Sequence, residues 1–151
     1  MFNSEIENIQ NEYKLNDIVI LEAKLGLEKS CCVKCGSQCI IGVDTDKVES
    51  IAELRSLILH EAGHCREGAF YNCGATKNER RHAEYLAITW AIRNCIPFDQ
   101  YIDAIRSGVR DVYQLAEYFN VTVESATKAS EFYTSRLIDY LKLAQARGHA
   151  V

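Results

Sequence analysis

Two histidines four residues apart, with a glutamate beside the first, form the pattern in this chain that could do chemistry. They are His60, Glu61 and His64. Positions i and i+4 of an α-helix lie on one face about a turn apart, so these two imidazoles can bind the same metal ion. Zinc accepts such nitrogen ligands, and the adjacent glutamate can act as a general base toward water without being a ligand. If the histidines were ordinary core residues, Glu61 would be a buried charge that needs a partner.

The residues around this motif predict a helix that begins near Ser50 and ends at Gly68. Ser50 and Glu53 have the spacing of a capping box, and a glycine is a typical helix terminator. Glycine inside a helix costs about 1 kcal/mol relative to alanine, so Gly63 indicates that another backbone or a substrate approaches closely there. Apolar residues cover more than one face, which indicates burial on several sides: Ile51, Leu54, Leu57, Ile58 and Leu59.

A catalytic zinc site needs a third protein ligand, and a second predicted helix offers Glu84. Glu84 shares a helix face with Ala87 and Ala91, and that face can pack against the helix of the histidines. Glu79 and His82 are rivals: Glu79 has a capping role in the first turn, and His82 points to a different side. An ion pair on the surface is the alternative role for Glu84.

Seven cysteines are an odd number, and the N-terminal residues do not form a signal peptide, so we expect reduced thiols. Cys32 and Cys35 have the spacing of half a zinc knuckle. A second half is missing, because the later cysteines do not form a ligand pair. The sequence leaves open whether the clustered cysteines bind a second metal: Cys31, Cys32, Cys35 and Cys39.

Length and composition are those of an ordinary globular domain. The chain has 151 residues, of which 48% are hydrophobic, and can bury a substantial core. A formal net charge of -4 argues against a surface that neutralises phosphates, so direct nucleic-acid binding is not expected. No apolar run approaches the ~20 residues needed to cross a bilayer, and we expect a cytoplasmic protein.

The first part of the chain predicts a short helix and a small sheet. Ser4 and Glu7 have the spacing of a capping box, and residues 18–21 fit either a strand or the start of a helix. Residues 31–35 and 39–43 flank a short loop with Gly36, which predicts a β-hairpin. We expect the strand edge at 40–43 to be exposed and able to hold a substrate as an added strand.

The later part predicts helices. A capping box begins the second long helix at Thr76, and Pro97 ends it. Shorter helices follow to residue 119, and a long amphipathic helix runs from Val123 to about Gln145. The spacing around residues 115–126 is typical of a helix-turn-helix, but one acid and one base over 123–128 suit DNA poorly, so we favour a structural role. The fold class is therefore α+β and mainly helical. We expect one compact domain, 1–151, with a core at 1–97 and a helical subdomain at 98–151.

The chain resembles the ImmA/IrrE family of zinc metallopeptidases. The resemblance rests on residues 55–64, on the Glu84-x-x-Ala87-x-x-Trp90-Ala91 pattern, on Ile96-Pro97 and on the preceding stretch 39–43. The cysteine-rich hairpin departs from the family pattern, as do Tyr85 and Leu86.

This resemblance implies a zincin-like core, with a small antiparallel sheet or hairpin on the zinc helix and a C-terminal helix-turn-helix-like unit. It also implies one Zn²⁺ per chain. Family members of this sort are found on phages and mobile elements, and they cleave or promote inactivation of a helix-turn-helix repressor encoded nearby. The resemblance therefore implies a protein substrate.

We expect a metalloendopeptidase with Glu61 as catalytic base and His60, His64 and Glu84 as zinc ligands. The sequence leaves the donor to the carbonyl oxygen open among three residues, Tyr71, His82 and Tyr85. The alternative is a non-catalytic zinc-containing regulator that binds a repressor or another protein. Glu61 separates the two, since a structural zinc site has four closed ligands and no base. A DNA-binding protein would need a basic face that the C-terminal helices lack.

Overall fold

Two long helices and a small sheet surround the residues singled out above. The computed structural model describes residues 2–148, so the ends of the predicted domain, residues 1 and 149–151, lie outside it. The fold is α+β and mainly helical, as predicted. Its elements are α1 (Asn3–Glu12), β1 (Val19–Glu22), β2 (Ser30–Cys35), β3 (Gln38–Val43), a 3₁₀ turn (Thr45–Lys47), α2 (Ile51–Glu67), α3 (Lys77–Cys95), α4 (Phe98–Arg106), α5 (Val112–Phe119) and α6 (Val123–Ala146).

The sheet has three strands in the order β1-β3-β2. Strands β2 and β3 form the predicted antiparallel hairpin, and Gly36 in its turn has a φ of 62°, a backbone conformation that glycine adopts without strain. Residues 18–21, which fitted a strand or a helix, overlap β1, and this strand pairs with β3 in parallel. The sheet is therefore mixed rather than purely antiparallel.

The position of β3 corrects one expectation about the substrate. Because β3 is the central strand, residues 40–43 pair with β1 on one side and with β2 on the other. The predicted exposed edge at 40–43 is therefore wrong. Of the described strands, β2 is an edge strand, and it is the one that lies beside the histidine motif.

Local signals set the ends of α2 and α3 as the sequence predicts. The Ser50 hydroxyl accepts a hydrogen bond from the Glu53 amide at 3.0 Å, and Gly68 ends α2 in a left-handed conformation. The Glu53 carboxylate accepts from the Glu49 amide, one residue earlier than a capping box requires. Thr76 forms a complete capping box at the start of α3. In α1 the predicted cap at Ser4 is wrong, since the helix already begins at Asn3.

Helices α2 and α3 meet at Gly63. A Cβ atom on this residue would lie 2.4 Å from the carbonyl oxygen of Ala87 and 2.9 Å from its Cα. Only glycine permits this approach, because the atoms in the way belong to backbone and have little freedom to move. The predicted close contact at Gly63 is thus confirmed, and the neighbour is the backbone of α3.

Cys39 on β3 and Cys65 on α2 form a disulfide, with their Cα atoms 6.0 Å apart. The expectation of reduced thiols is wrong for this pair, because the hairpin lies on α2 and places the two side chains together. The bond joins the sheet to the residue that directly follows His64. The free cysteines of the described chain are Cys31, Cys32, Cys35, Cys73 and Cys95.

The first prediction concerns Gly63. Helix propensity alone would favour Gly63→Ala by about 1 kcal/mol, but the clash with Ala87 should reverse the sign and destabilise the protein by roughly 1–3 kcal/mol. Urea unfolding measures this. Gly26→Ala is the control, because its Cβ would meet nothing within 4 Å. A stabilised Gly63→Ala protein would mean that the helices stand further apart.

The second prediction concerns the disulfide. Its sequence separation is 26 residues, and closing a loop of this size typically stabilises a protein by about 2–4 kcal/mol. The double change Cys39→Ser and Cys65→Ser should lower the free energy of unfolding by that amount, measured without reductant. Cys73→Ser, at an exposed free thiol, should have little effect. Equal stability of the double variant and wild type would show that the bond does not form in solution.

Candidate metal centre

The three predicted ligands come together between α2 and α3. One nitrogen each of His60 and His64 and one carboxylate oxygen of Glu84 all lie within 4.8 Å of one another. His64 is almost fully buried, whereas the side chains of His60 and Glu84 are about one-third exposed, at 31% and 34%. Glu84 reaches both histidines because Ala87, one turn further along α3, packs on Gly63.

Each histidine lies at a distance from the Glu84 carboxylate that is close to the separation of two ligands on a tetrahedral metal ion. Nε2 of His60 lies 3.1 Å from one oxygen of Glu84, and Nε2 of His64 lies 3.3 Å from the other. Ligands held about 2.0–2.1 Å from zinc at tetrahedral angles stand about 3.3 Å apart. Two imidazole nitrogens and one carboxylate oxygen are also a donor set that zinc accepts, so the residues fit this metal.

Neighbouring groups orient two of the candidate ligands, His64 and Glu84. Nδ1 of His64 donates a hydrogen bond to the backbone carbonyl of Ala69 at 2.6 Å, and in this tautomer of the neutral ring Nε2 is the nitrogen that can bind a metal. The Tyr71 hydroxyl donates to the Glu84 carboxylate at 2.8 Å. Burial lowers the pKa of His60, which favours the neutral imidazole that a metal requires.

Glu61 is buried beside this group, with 8% of its surface exposed. The Ser30 hydroxyl, on β2, donates to its carboxylate at 2.8 Å. The Cys32 thiol lies beside the same carboxylate, and its own burial, aided by that negative charge, raises its pKa, so it stays protonated. The partner that a buried charge requires is therefore supplied by the sheet, and neither Ser30 nor Cys32 was assigned to the site from the sequence.

A cleft of about 410 Å³ contains the group. Its walls come from β2, from α2 and α3, and from the segment after α2 that includes Phe70 and Tyr71. The predicted ligands and base therefore face a space that a substrate can enter. Tyr71 lines this cleft, whereas His82 and Tyr85, the other two candidate donors, do not.

The rival ligands take other roles. Glu79 forms the capping box with Thr76, and His82 is exposed and outside the group. Within residues 2–148 no cysteine belongs to a cluster that could hold a metal, and Cys39 is already in a disulfide. The geometry therefore provides no second metal site in this part of the chain.

Comparison with known proteins gives the family. The family model described as IrrE N-terminal-like domain, Peptidase M78, matches residues 45–131, more than half of the chain. The chain belongs to this family. The match supports a metallopeptidase-type protein. It includes His60, Glu61, His64 and Glu84 but begins after the last strand of the sheet. No curated protein and no solved structure matches the chain.

Among the described residues, no helix combines the length and apolarity needed to span a bilayer.

The third prediction is that the purified protein binds about one zinc ion per chain through these side chains. The double change His60→Ala and His64→Ala should abolish zinc binding, and Glu84→Gln should weaken it, because each removes a donor atom. Metal analysis of the purified proteins measures this. His82→Ala is the control and should retain zinc. Unaltered zinc content in the double variant would assign the metal to other residues.

Proposed function

We propose that this protein is a zinc-dependent metallopeptidase that hydrolyses a peptide bond in a protein substrate. His60, His64 and Glu84 hold the zinc ion, and Glu61 is the general base. One observation carries the proposal: the Glu84 carboxylate bridges the two imidazoles in an open cleft, with a fourth ionisable group, Glu61, buried beside them. A structural zinc site would have no use for this extra carboxylate.

The bound zinc would polarise the peptide carbonyl and lower the pKa of water at the site to about 7. Glu61 takes a proton from the water while the water oxygen attacks the carbonyl carbon. The same carboxylic acid then gives that proton to the amine nitrogen as the C–N bond breaks. Ser30 holds the carboxylate against the cleft wall through its hydroxyl, so the base is positioned before the substrate arrives. Of the three candidate donors to the carbonyl oxygen, only Tyr71 lines the cleft, and its hydroxyl would have to turn away from Glu84 to donate to that oxygen.

The edge strand β2 offers a way to bind an extended substrate. Ser30 and Cys32 of this strand line the cleft, and an unpaired edge can add a substrate strand through backbone hydrogen bonds. The substrate class that the ImmA/IrrE resemblance implies is a helix-turn-helix repressor encoded nearby. We propose such a repressor as the substrate and the cytoplasm as the place of cleavage.

The fourth prediction tests the base. Glu61→Gln preserves size and polarity but cannot accept the proton, so cleavage of the repressor should slow by about 10²–10⁴-fold. Zinc content should stay near that of wild type, because Glu61 is not a ligand. Mass spectrometry of the repressor after incubation measures the fragments. Glu67→Gln is the matched control, an identical change at an exposed position of the same helix, and should cleave normally.

Two outcomes would contradict this function. Equal rates of cleavage by the Glu61→Gln and wild-type proteins would show that Glu61 is not the base. Zinc-loaded wild type that binds the repressor without cutting it would instead support the non-catalytic regulator.

A further inference from the structure

A second pocket, of about 300 Å³, adjoins the cleft and shares His60 as a lining residue. It lies between α2, α3 and α6, and its apolar lining includes Leu57, Ile88, Ala91 and Ile92. The proposed mechanism makes no use of this pocket. Its volume is at the low end of the range for ligand pockets, roughly 300–1,000 Å³, which suits a single side chain better than a cofactor.

Helix geometry places this apolar lining beside the metal ligands. Leu57 lies three residues before His60 on α2, and Ile88 lies four residues after Glu84 on α3. Residues three or four apart share a helix face, so each of these two ligands has an apolar pocket residue one turn away. A group bound at the metal is therefore within reach of the pocket.

Helix α6 forms the third wall of the pocket. The hydroxyl and acidic side chains that line this wall and the facing part of α2 have partners. The Ser125 hydroxyl donates to the Ser56 hydroxyl and accepts from the Thr122 hydroxyl, each at 3.0 Å. The acidic lining residues also have partners, since Glu124 pairs with Lys128, at 3.0 Å, and Glu53 with Lys29. With these polar groups engaged, an uncharged apolar group is the occupant that the pocket accepts without leaving a buried charge unpaired.

We propose that this pocket binds an apolar side chain of about leucine size, next to the bond that the enzyme cleaves. Leu57, Ile88 and Ala91 would then set substrate specificity, and the C-terminal helix α6 would contribute a wall of the substrate site. The inference rests on the proposed function, because it needs a metal at His60, His64 and Glu84.

Hydroxamates of single amino acids test the pocket without peptide cleavage, since the hydroxamate group binds the metal and the side chain probes its surroundings. Titration calorimetry would compare leucine hydroxamate with alanine hydroxamate on the zinc-loaded 151-residue chain. The leucine compound should bind about 10–100-fold more tightly, because it buries three more carbon atoms. Equal affinities, or no binding of either compound, would overturn the proposal.

Two variants locate the effect. Ala91→Phe fills the pocket and should abolish the preference for leucine while alanine hydroxamate still binds. Arg81→Phe, at an exposed position of α3 that lines neither pocket, is the matched control and should retain the preference. If Ala91→Phe does not fold, Ile88→Ala removes lining atoms and should reduce the preference several-fold. A preference that survives both Ala91→Phe and Ile88→Ala would assign the leucine site elsewhere.

The hydroxamate titration and the cleavage assay test the two proposals independently. Cleavage that depends on Glu61, together with equal hydroxamate affinities, would support the peptidase function and contradict the proposed role of the pocket. A preference for leucine hydroxamate in a protein that cleaves no substrate would support the proposed role of the pocket and contradict the peptidase function.

Discussion

The contact between Gly63 and the backbone of Ala87 is the constraint on which the candidate metal centre depends. It sets how closely α2 and α3 approach, and a single methyl group at position 63 would not fit. Glu84 lies one turn before Ala87, so this approach also decides whether its carboxylate reaches Nε2 of both histidines. The two helices supply all three candidate ligands, and wider spacing between them would separate Glu84 from the histidines.

The sheet is attached to this helix pair at two points that both involve the motif. Ser30 of β2 binds Glu61, and Cys39 of β3 is bonded to Cys65, which adjoins His64. Both strands lie before residue 45, where the family match begins. The family segment thus includes the candidate ligands and the candidate base, while the hairpin, which lies before that segment, holds Glu61 through Ser30 and forms one wall of the cleft.

The features that the sequence predicts correctly are those with a local cause. The spacing of His60 and His64 and the caps at Ser50 and Thr76 each depend on a few neighbouring residues and on helix geometry. Gly63 is recognised from its local cost inside a helix, although its neighbour, Ala87, lies on α3. The features that it misses join distant parts of the chain. Ser30 meets Glu61 across 31 positions and Cys39 meets Cys65 across 26, and both depend on how the hairpin lies on α2. The central position of β3 likewise depends on β1. No local sequence pattern predicts that β1 pairs with β3 in parallel.

The three candidate ligands differ in how much of each side chain is exposed. His64 is 7% exposed and is held through Nδ1 by Ala69, whereas His60 and Glu84 are about one-third exposed toward the cleft. A closed structural site would bury its ligands evenly and surround them with a fourth donor. Here the described residues provide three donors, and the remaining side opens onto the cleft that β2 borders. Rigid support on one side and access on the other is the arrangement that hydrolysis requires, because water and a peptide must both reach a site whose own groups stay fixed.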